Sequence, residues 1–153
     1  MLPMVISLDE IREAKRLLQE CEAELSTRGE GFDSKIELGI MIETPSAAIM
    51  SDTLAKEVDF FSVGTNDLTQ YTLAADRQNP RVMHLCERNI EPVMRLIKIA
   101  CDSIHHKGGW IGVCGEMAAD LSLTQQLANM GVDELSVSVP YLLGVRGKVS
   151  ECK

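Results

Sequence analysis

The amino-acid sequence predicts an α/β fold in which parallel strands alternate with helices, and three observations predict it. Apolar runs of strand length recur at residues 3–6, 36–42, 59–64, 110–114 and 134–139. They are mostly continuous rather than alternating, as expected of strands covered on both faces or lining a closed barrel. Stretches with apolar residues at spacings of three and four lie between them, so consecutive strands are joined by right-handed helical crossovers. No linker, charge block or low-complexity stretch interrupts the 153 residues, which read as one architecture. An open doubly wound sheet fits that order. So does part of a (β/α)₈ barrel, which in full needs about 250 residues. Periodicity leaves the two open.

Ser7-Leu8-Asp9-Glu10 is a capping box, and it opens a helix with Leu8, Ile11, Ala14, Leu18, Cys21 and Leu25 on one face. Gly29 and Gly31 end it. Thr44-Pro45 supplies an N-cap and a first helical residue for a second helix, through about Lys56. The segment 69–89 has no clear period and reads as a long loop. Asn89 is a cap for a third helix, whose stripe of Ile90, Val93, Met94, Ile97, Cys101 and Ile104 stops at Gly108-Gly109. Asp120 is a cap for a fourth that ends at Gly131, and a last amphipathic segment follows Pro140.

Composition narrows the class. Fifteen Lys+Arg against 23 Asp+Glu give a net charge of −8, which argues against nucleic acid as a partner. No apolar run reaches the length of about 18 residues that a spanning helix needs. The start, Met1-Leu2-Pro3-Met4-Val5-Ile6, lacks the basic flank of a signal peptide. The five cysteines form no C-x-x-C pair, so neither a zinc site nor a disulfide framework is indicated, and a reducing cytoplasm is expected.

Polar residues cluster just after three of the apolar runs: Glu43-Thr44-Pro45, Thr65-Asn66-Asp67 and Cys114-Gly115-Glu116. The carboxyl ends of parallel strands share one face, where ligands bind. Glu43, Asn66, Asp67 and Cys114 therefore converge on a common mouth. Two carboxylates and an amide are hard oxygen donors of the kind Mg²⁺ accepts. Glu43 also suits a helix N-terminus, and Asp67 a cap or turn. A thiol with an ordinary pKa near about 8.5 is protonated at neutral pH and serves as an acid as readily as a nucleophile. Cys21 and Cys101, on helical apolar stripes, read as buried hydrophobes. Arg77, and further on Arg81 and Arg88, are candidates for a phosphate or for plain solvent-facing charge. His105 and His106 suit the dipole at a helix C-terminus. No phosphate-loop signature occurs, and Gly144-Val-Arg-Gly147-Lys148 imitates one only superficially.

Gly39-Ile-Met-Ile-Glu43-Thr-Pro-Ser-Ala-Ala48, the run from Asp59 through Gly64-Thr-Asn-Asp67 to Ala74, and Gly112-Val-Cys-Gly-Glu116 strongly resemble the phosphoenolpyruvate-utilising enzymes. Within them the resemblance is to the enzyme I branch, of the bacterial phosphoenolpyruvate:sugar phosphotransferase system, on Tyr71-Thr-Leu-Ala and Asp76-Arg77. It extends over essentially the whole chain. It implies the C-terminal half of a (β/α)₈ TIM-type barrel that binds phosphoenolpyruvate. Glu43 and Asp67 would be Mg²⁺ ligands, Asn66 and Asp67 substrate contacts, and Arg77 a phosphate contact. Cys114 would be the acid that protonates the enolate to give pyruvate. The phosphoryl group would pass to a histidine on a separate domain and then to the histidine phosphocarrier protein. Residues 1–153 would then be a partial barrel, without the phosphohistidine domain and the first barrel half, inactive alone and paired as a homodimer through its open edges. Two alternatives remain: a pyruvate phosphate dikinase or phosphoenolpyruvate synthase, and a non-catalytic dimerisation half-barrel.

Overall fold

The computed structural model describes residues 1–152, the side chains of Glu87 and Arg88 excepted. Helix α1, Leu8–Arg28, begins at the predicted capping box, where the Glu10 carboxylate accepts from Ser7 N at 3.0 Å and Ile6 N at 2.7 Å. Strand β1 is Gly39–Ile42, and the helix predicted after it is broken at Met50 into α2, Pro45–Ile49, and α3, Ser51–Leu54, followed by a 3₁₀ turn at Ala55–Glu57. Strand β2, Phe60–Gly64, runs directly into α4, Thr65–Leu73. The expected long loop thus contains the end of α4 and a short α5, Met83–Arg88. Helix α6, Glu91–Lys107, leads through Gly108 to β3, Trp110–Cys114. Short helices α7, Glu116–Ala119, and α8, Thr124–Met130, precede β4, Glu134–Leu135. A 3₁₀ turn at Val139–Tyr141 opens α9, Leu142–Glu151.

Among the described residues the strands form one parallel sheet in the order β1-β2-β3-β4. It is a partial, unclosed barrel wall. The strand expected at residues 3–6 shrinks to a single parallel bridge, Leu2 to Ile40. Pro3 has no N–H for the ladder, and Met4 takes a left-handed φ of 53° that turns the chain off the sheet edge. The run 36–42 pairs only from Gly39, and 134–139 only as far as Leu135 in β4, because no further strand stands beyond that edge.

Two predicted caps move. Asn89 ends α5, its Nδ2 donating to Leu85 O at 2.9 Å, and Ile90 precedes α6. Asp120 ends α7 and folds a turn in which its carboxylate accepts from Ser122 N at 2.8 Å. Both short polar side chains found a local backbone partner, which competes with capping a following helix.

Alternation along each strand divides the sheet. Ile40, Ile42, Phe61, Val63, Ile111 and Val113 are fully buried with Val93, Ile97 and Ile104 of α6 in the hydrophobic core. The other face is concave and only half covered. There Gly39, Phe60 and Trp110 share a level, and the two rings stack with centroids 4.5 Å apart. Met41, Ser62, Gly112 and Glu134 form the next level, and Gly64 and Cys114 the one nearest the strand ends.

Helix α1 differs from the prediction. Ile11 is its only buried residue, and Leu18 and Cys21 are exposed. Cys21 is therefore no core hydrophobe. Its helix is moored chiefly at one end, where Arg12 and Lys15 pair with Glu57. Cys101 is buried as expected, and burial pushes its thiol up to about 12.

Candidate active site

Glu43, Asn66, Asp67 and Cys114 stand at the carboxyl ends of β1, β2 and β3, as predicted for one mouth. Each is fixed by a local device. Thr44 caps α2 by accepting from Ala47 N at 3.1 Å, while its hydroxyl donates to Val5 O at 2.9 Å. That double use locks the turn on which Glu43 sits. Glu43 is buried, 6% exposed, and Oε2 accepts from Met4 N at 2.9 Å. Its carboxylate covers Gly64 so closely that a Cβ there would lie 2.5 Å from Oε1.

Asp67 lies in the first turn of α4, and Oδ1 is 3.6 Å from the Arg77 guanidinium. Both side chains are about one-third exposed, at 32% and 39%, so the pair is open to exchange for a ligand. The Arg77 backbone is held by its N–H to Gln70 Oε1 at 3.1 Å. Asn66 Oδ1 accepts from Glu116 N at 3.0 Å, which assigns the amide so that Nδ2 has no partner among the described residues.

Cys114 is half-buried. Its Sγ donates to Val63 O at 3.3 Å and accepts from Ser62 Oγ at 3.9 Å. Burial pushes the thiol up, Ser62 pulls it the other way, and the carboxylates of Glu43 and Asp67 push it up further. The net rise keeps the S–H protonated at neutral pH, the form an acid needs.

Three contributors escaped the sequence reading. Thr65 is fully buried and donates to Cys114 O at 2.8 Å, tying α4 to the end of β3. Gly115 follows with φ 88°, and a Cβ there would run into Thr65 Oγ1 and lie 2.9 Å from Asn66 Oδ1. Met4 supplies the N–H for Glu43 from its left-handed conformation. A glycine directly after the strand-end cysteine was the one readable signal.

Other candidates do not join. Arg81 is exposed, its N–H held by Asn79 Oδ1, and the Arg88 side chain lies outside the described residues. His105 finds a partner beyond the helix dipole: Nε2 sits 2.8 Å from Asp133 Oδ2, which also accepts from Ile111 N. Burial alone would raise Asp133, but His105 and that amide hold its carboxyl below the usual range. Gly144 to Lys148 lies inside α9 and forms no loop. A cavity of about 480 Å³ opens beside the mouth, lined by Thr65, Asn66, Arg77, Glu116 and Met117 among others. Glu43, Asp67 and Cys114 are not in its walls. Glu43 instead lies over Gly64, whose register partner on β3 is Cys114.

Among the described residues no group of three or more His, Cys, Asp or Glu could hold a metal ion alone. A two-carboxylate site suits Mg²⁺, which usually completes its octahedron with water and substrate oxygens. Glu43 adds a specific reason: it is a buried carboxylate with no ion pair among the described residues. A buried carboxylate held by one backbone N–H and no opposite charge is costly to ionise, so a cation fits there. No helix is long and apolar enough to cross a membrane among the described residues.

Comparison with known proteins gives a consistent result. The description "PEP-utilising enzyme, PEP-binding domain" matches residues 1–153. The chain is 52% identical over 138 residues to a phosphoenolpyruvate-protein phosphotransferase of Haemophilus influenzae, covering 90% of this chain and 24% of that protein. It is 46% identical over 149 residues to one from Listeria monocytogenes, covering 97% and 26%. With one from Bacillus subtilis the identity is 44% over 151 residues, covering 99% and 26%. The chain thus spans about a quarter of the length of these curated relatives. The crystal structure of RipC from Yersinia pestis superposes with a TM-score of 0.67 at 11% identity, covering 97% of this chain and 61% of that one. That likeness concerns the fold alone.

Proposed function

The chain belongs to the family of phosphoenolpyruvate-utilising enzymes through their phosphoenolpyruvate-binding domain, and from that premise we propose that it is the substrate-binding part of a phosphoenolpyruvate-protein phosphotransferase. The observation that carries the reading is the placement of Glu43, Asn66, Asp67 and Cys114 at the carboxyl ends of neighbouring parallel strands, in a chain whose relatives at 44–52% identity bear that name. The protein takes the phosphoryl group of phosphoenolpyruvate to one of its own histidines, then to the histidine phosphocarrier protein in bacterial sugar uptake, and releases pyruvate. It works in the cytoplasm and as a homodimer. Residues 1–153 are one part of its barrel, and alone they do not complete the transfer. Consistent with that, His105 is engaged with Asp133, away from the mouth.

Glu43 and Asp67 would hold Mg²⁺, which would supply Lewis-acid stabilisation of negative charge on the enolate oxygen. Asn66 donates Nδ2 to the substrate and so fixes its orientation. Arg77, 3.6 Å from Asp67 without ligand, turns to the phosphate when substrate enters. The P–O bond breaks, its electron pair enters the enolate, and Cys114 gives its S–H proton to the enolate carbon. The rise imposed on the thiol by burial keeps that proton available at neutral pH. The test is Asp67→Ala in the full-length protein, with Mn²⁺ binding followed by electron paramagnetic resonance alongside turnover. Both should fall at least about a hundredfold. Near-native metal binding and turnover would overturn the assignment.

A further inference from the structure

On the concave face, β2 and β3 lie in parallel register with Ser62 beside Gly112 and Gly64 beside Cys114. Glycines at 64 and 112 remove the side chains that would flank this diagonal. The Ser62 hydroxyl therefore has a clear line to the thiol, and Oγ donates to Sγ at 3.9 Å. On its other side the thiol donates to Val63 O at 3.3 Å. The sulfur is thus held between a hydroxyl donor and a carbonyl acceptor, both from β2. Among the described residues Ser62 is the side chain that donates a hydrogen bond to that sulfur.

We propose that Ser62 is a positioning residue for Cys114, holding the sulfur over the concave face and stabilising the negative charge left when its proton departs. This rests on the reading of Cys114 as the acid. In that step the S–H bond breaks as the C–H bond forms at the enolate carbon. The S–H electron pair remains on sulfur, the Ser62 O–H bond points at it, and water returns the proton before the next turnover. A sulfur without this donor would be a poorer leaving base for the proton and would rotate more freely about its side-chain torsion.

The experiment compares Ser62→Ala, Ser62→Thr, Ser62→Val and Cys114→Ala in the full-length protein. Two rates are read: iodoacetamide alkylation of the Cys114 peptide at fixed pH by mass spectrometry, and deuterium incorporation into the pyruvate methyl group. Ser62→Ala should slow both by about three- to tenfold, the value of one ordinary hydrogen bond, with KM for phosphoenolpyruvate unchanged. Ser62→Thr should restore both rates and Ser62→Val should not, because these two differ essentially in the hydroxyl. That pair decides the matter even if Ser62→Ala unfolds. Native rates in Ser62→Val, or equal losses in Thr and Val, would overturn the proposal. If Cys114→Ala kept native deuterium incorporation, the role of Cys114 as acid would fail instead, and the alkylation rates would still report whether Ser62 bonds to the sulfur.

Discussion

Gly115 carries more of the site's geometry than any charged residue, although it has no side chain. Its φ of 88° and ψ of −167° belong to a region that only glycine occupies without strain. A Cβ would also press on Thr65 and Asn66, which tie β3 to α4 and aim the amide of Asn66. Gly115→Ala should therefore cost about 2–4 kcal/mol in urea unfolding. It should also slow turnover beyond what the lost stability explains, since Cys114 and Asn66 shift together. The cysteines give a second expectation. Cys101 is buried with its thiol pushed up to about 12 by desolvation, whereas Cys21 is exposed. In the folded protein Cys21 should react with a disulfide reagent at once, and Cys101 only after denaturant is added. Cys101→Ala should lose about 1–2 kcal/mol, and Cys21→Ala under about 0.5 kcal/mol.

Helix α6 and the strand ends it supports are joined by a carboxylate whose titration is visible in stability. Asp133 takes an N–H from β3 at Ile111 and faces His105 at the C-terminus of α6. Its folded carboxyl lies below the unfolded value, despite the opposing effect of burial. The stabilisation is then fully present above the unfolded value of about 3.9 and is lost as pH falls through the folded one. Because both side chains are more than one-third exposed or nearly so, at 35% and 46%, the effect is under about 1 kcal/mol. Urea midpoints taken from pH 6 down to pH 2 should fall less steeply in Asp133→Asn than in the native chain. Parallel curves would contradict it. Helix α1 is the opposite case, a long element with one buried residue and a mooring of Arg12 and Lys15 on Glu57. Its C-terminal half should exchange amide hydrogens far faster than α6, whose stripe of buried residues runs its whole length.

The open sheet makes the molecule as a whole an adhesive object. β1 carries only the Leu2 bridge on its outer side, and β4 has no strand beyond it among the described residues. Next to that edge Val139 and Leu143 are 83% and 79% exposed, with Tyr141 and Leu142 beside them. Unpaired edges with apolar neighbours recruit another chain. The isolated 153-residue chain should therefore associate at micromolar concentration, which light scattering measures. Trp110, the single tryptophan, is half-buried on the concave face and should shift its emission to the blue as that face is covered. A stable monomer with concentration-independent fluorescence would contradict both expectations.

Much of this was written in local sequence. The capping box at Ser7, the Thr44-Pro45 start of α2, the stripe of α6 and its stop at Gly108 depend on neighbours within a few residues, and all stand where predicted. The placement of Glu43, Asn66, Asp67 and Cys114 at strand ends was equally legible, because polar residues that interrupt apolar runs mark where parallel strands finish. What the sequence left open depended on residues far apart. Whether residues 3–6 form a strand was decided by Met4, whose N–H turned from the sheet edge to Glu43, 39 positions away. Whether Leu18 and Cys21 would be covered depended on which elements lay against α1, and periodicity reports an apolar face but not its cover. The close contacts of Gly115 with α4 and the line from Ser62 to Cys114 arise only when β2 and β3 align in register. Local preferences chose the elements; the packing of side chains separated by some fifty residues aligned the groups of the site.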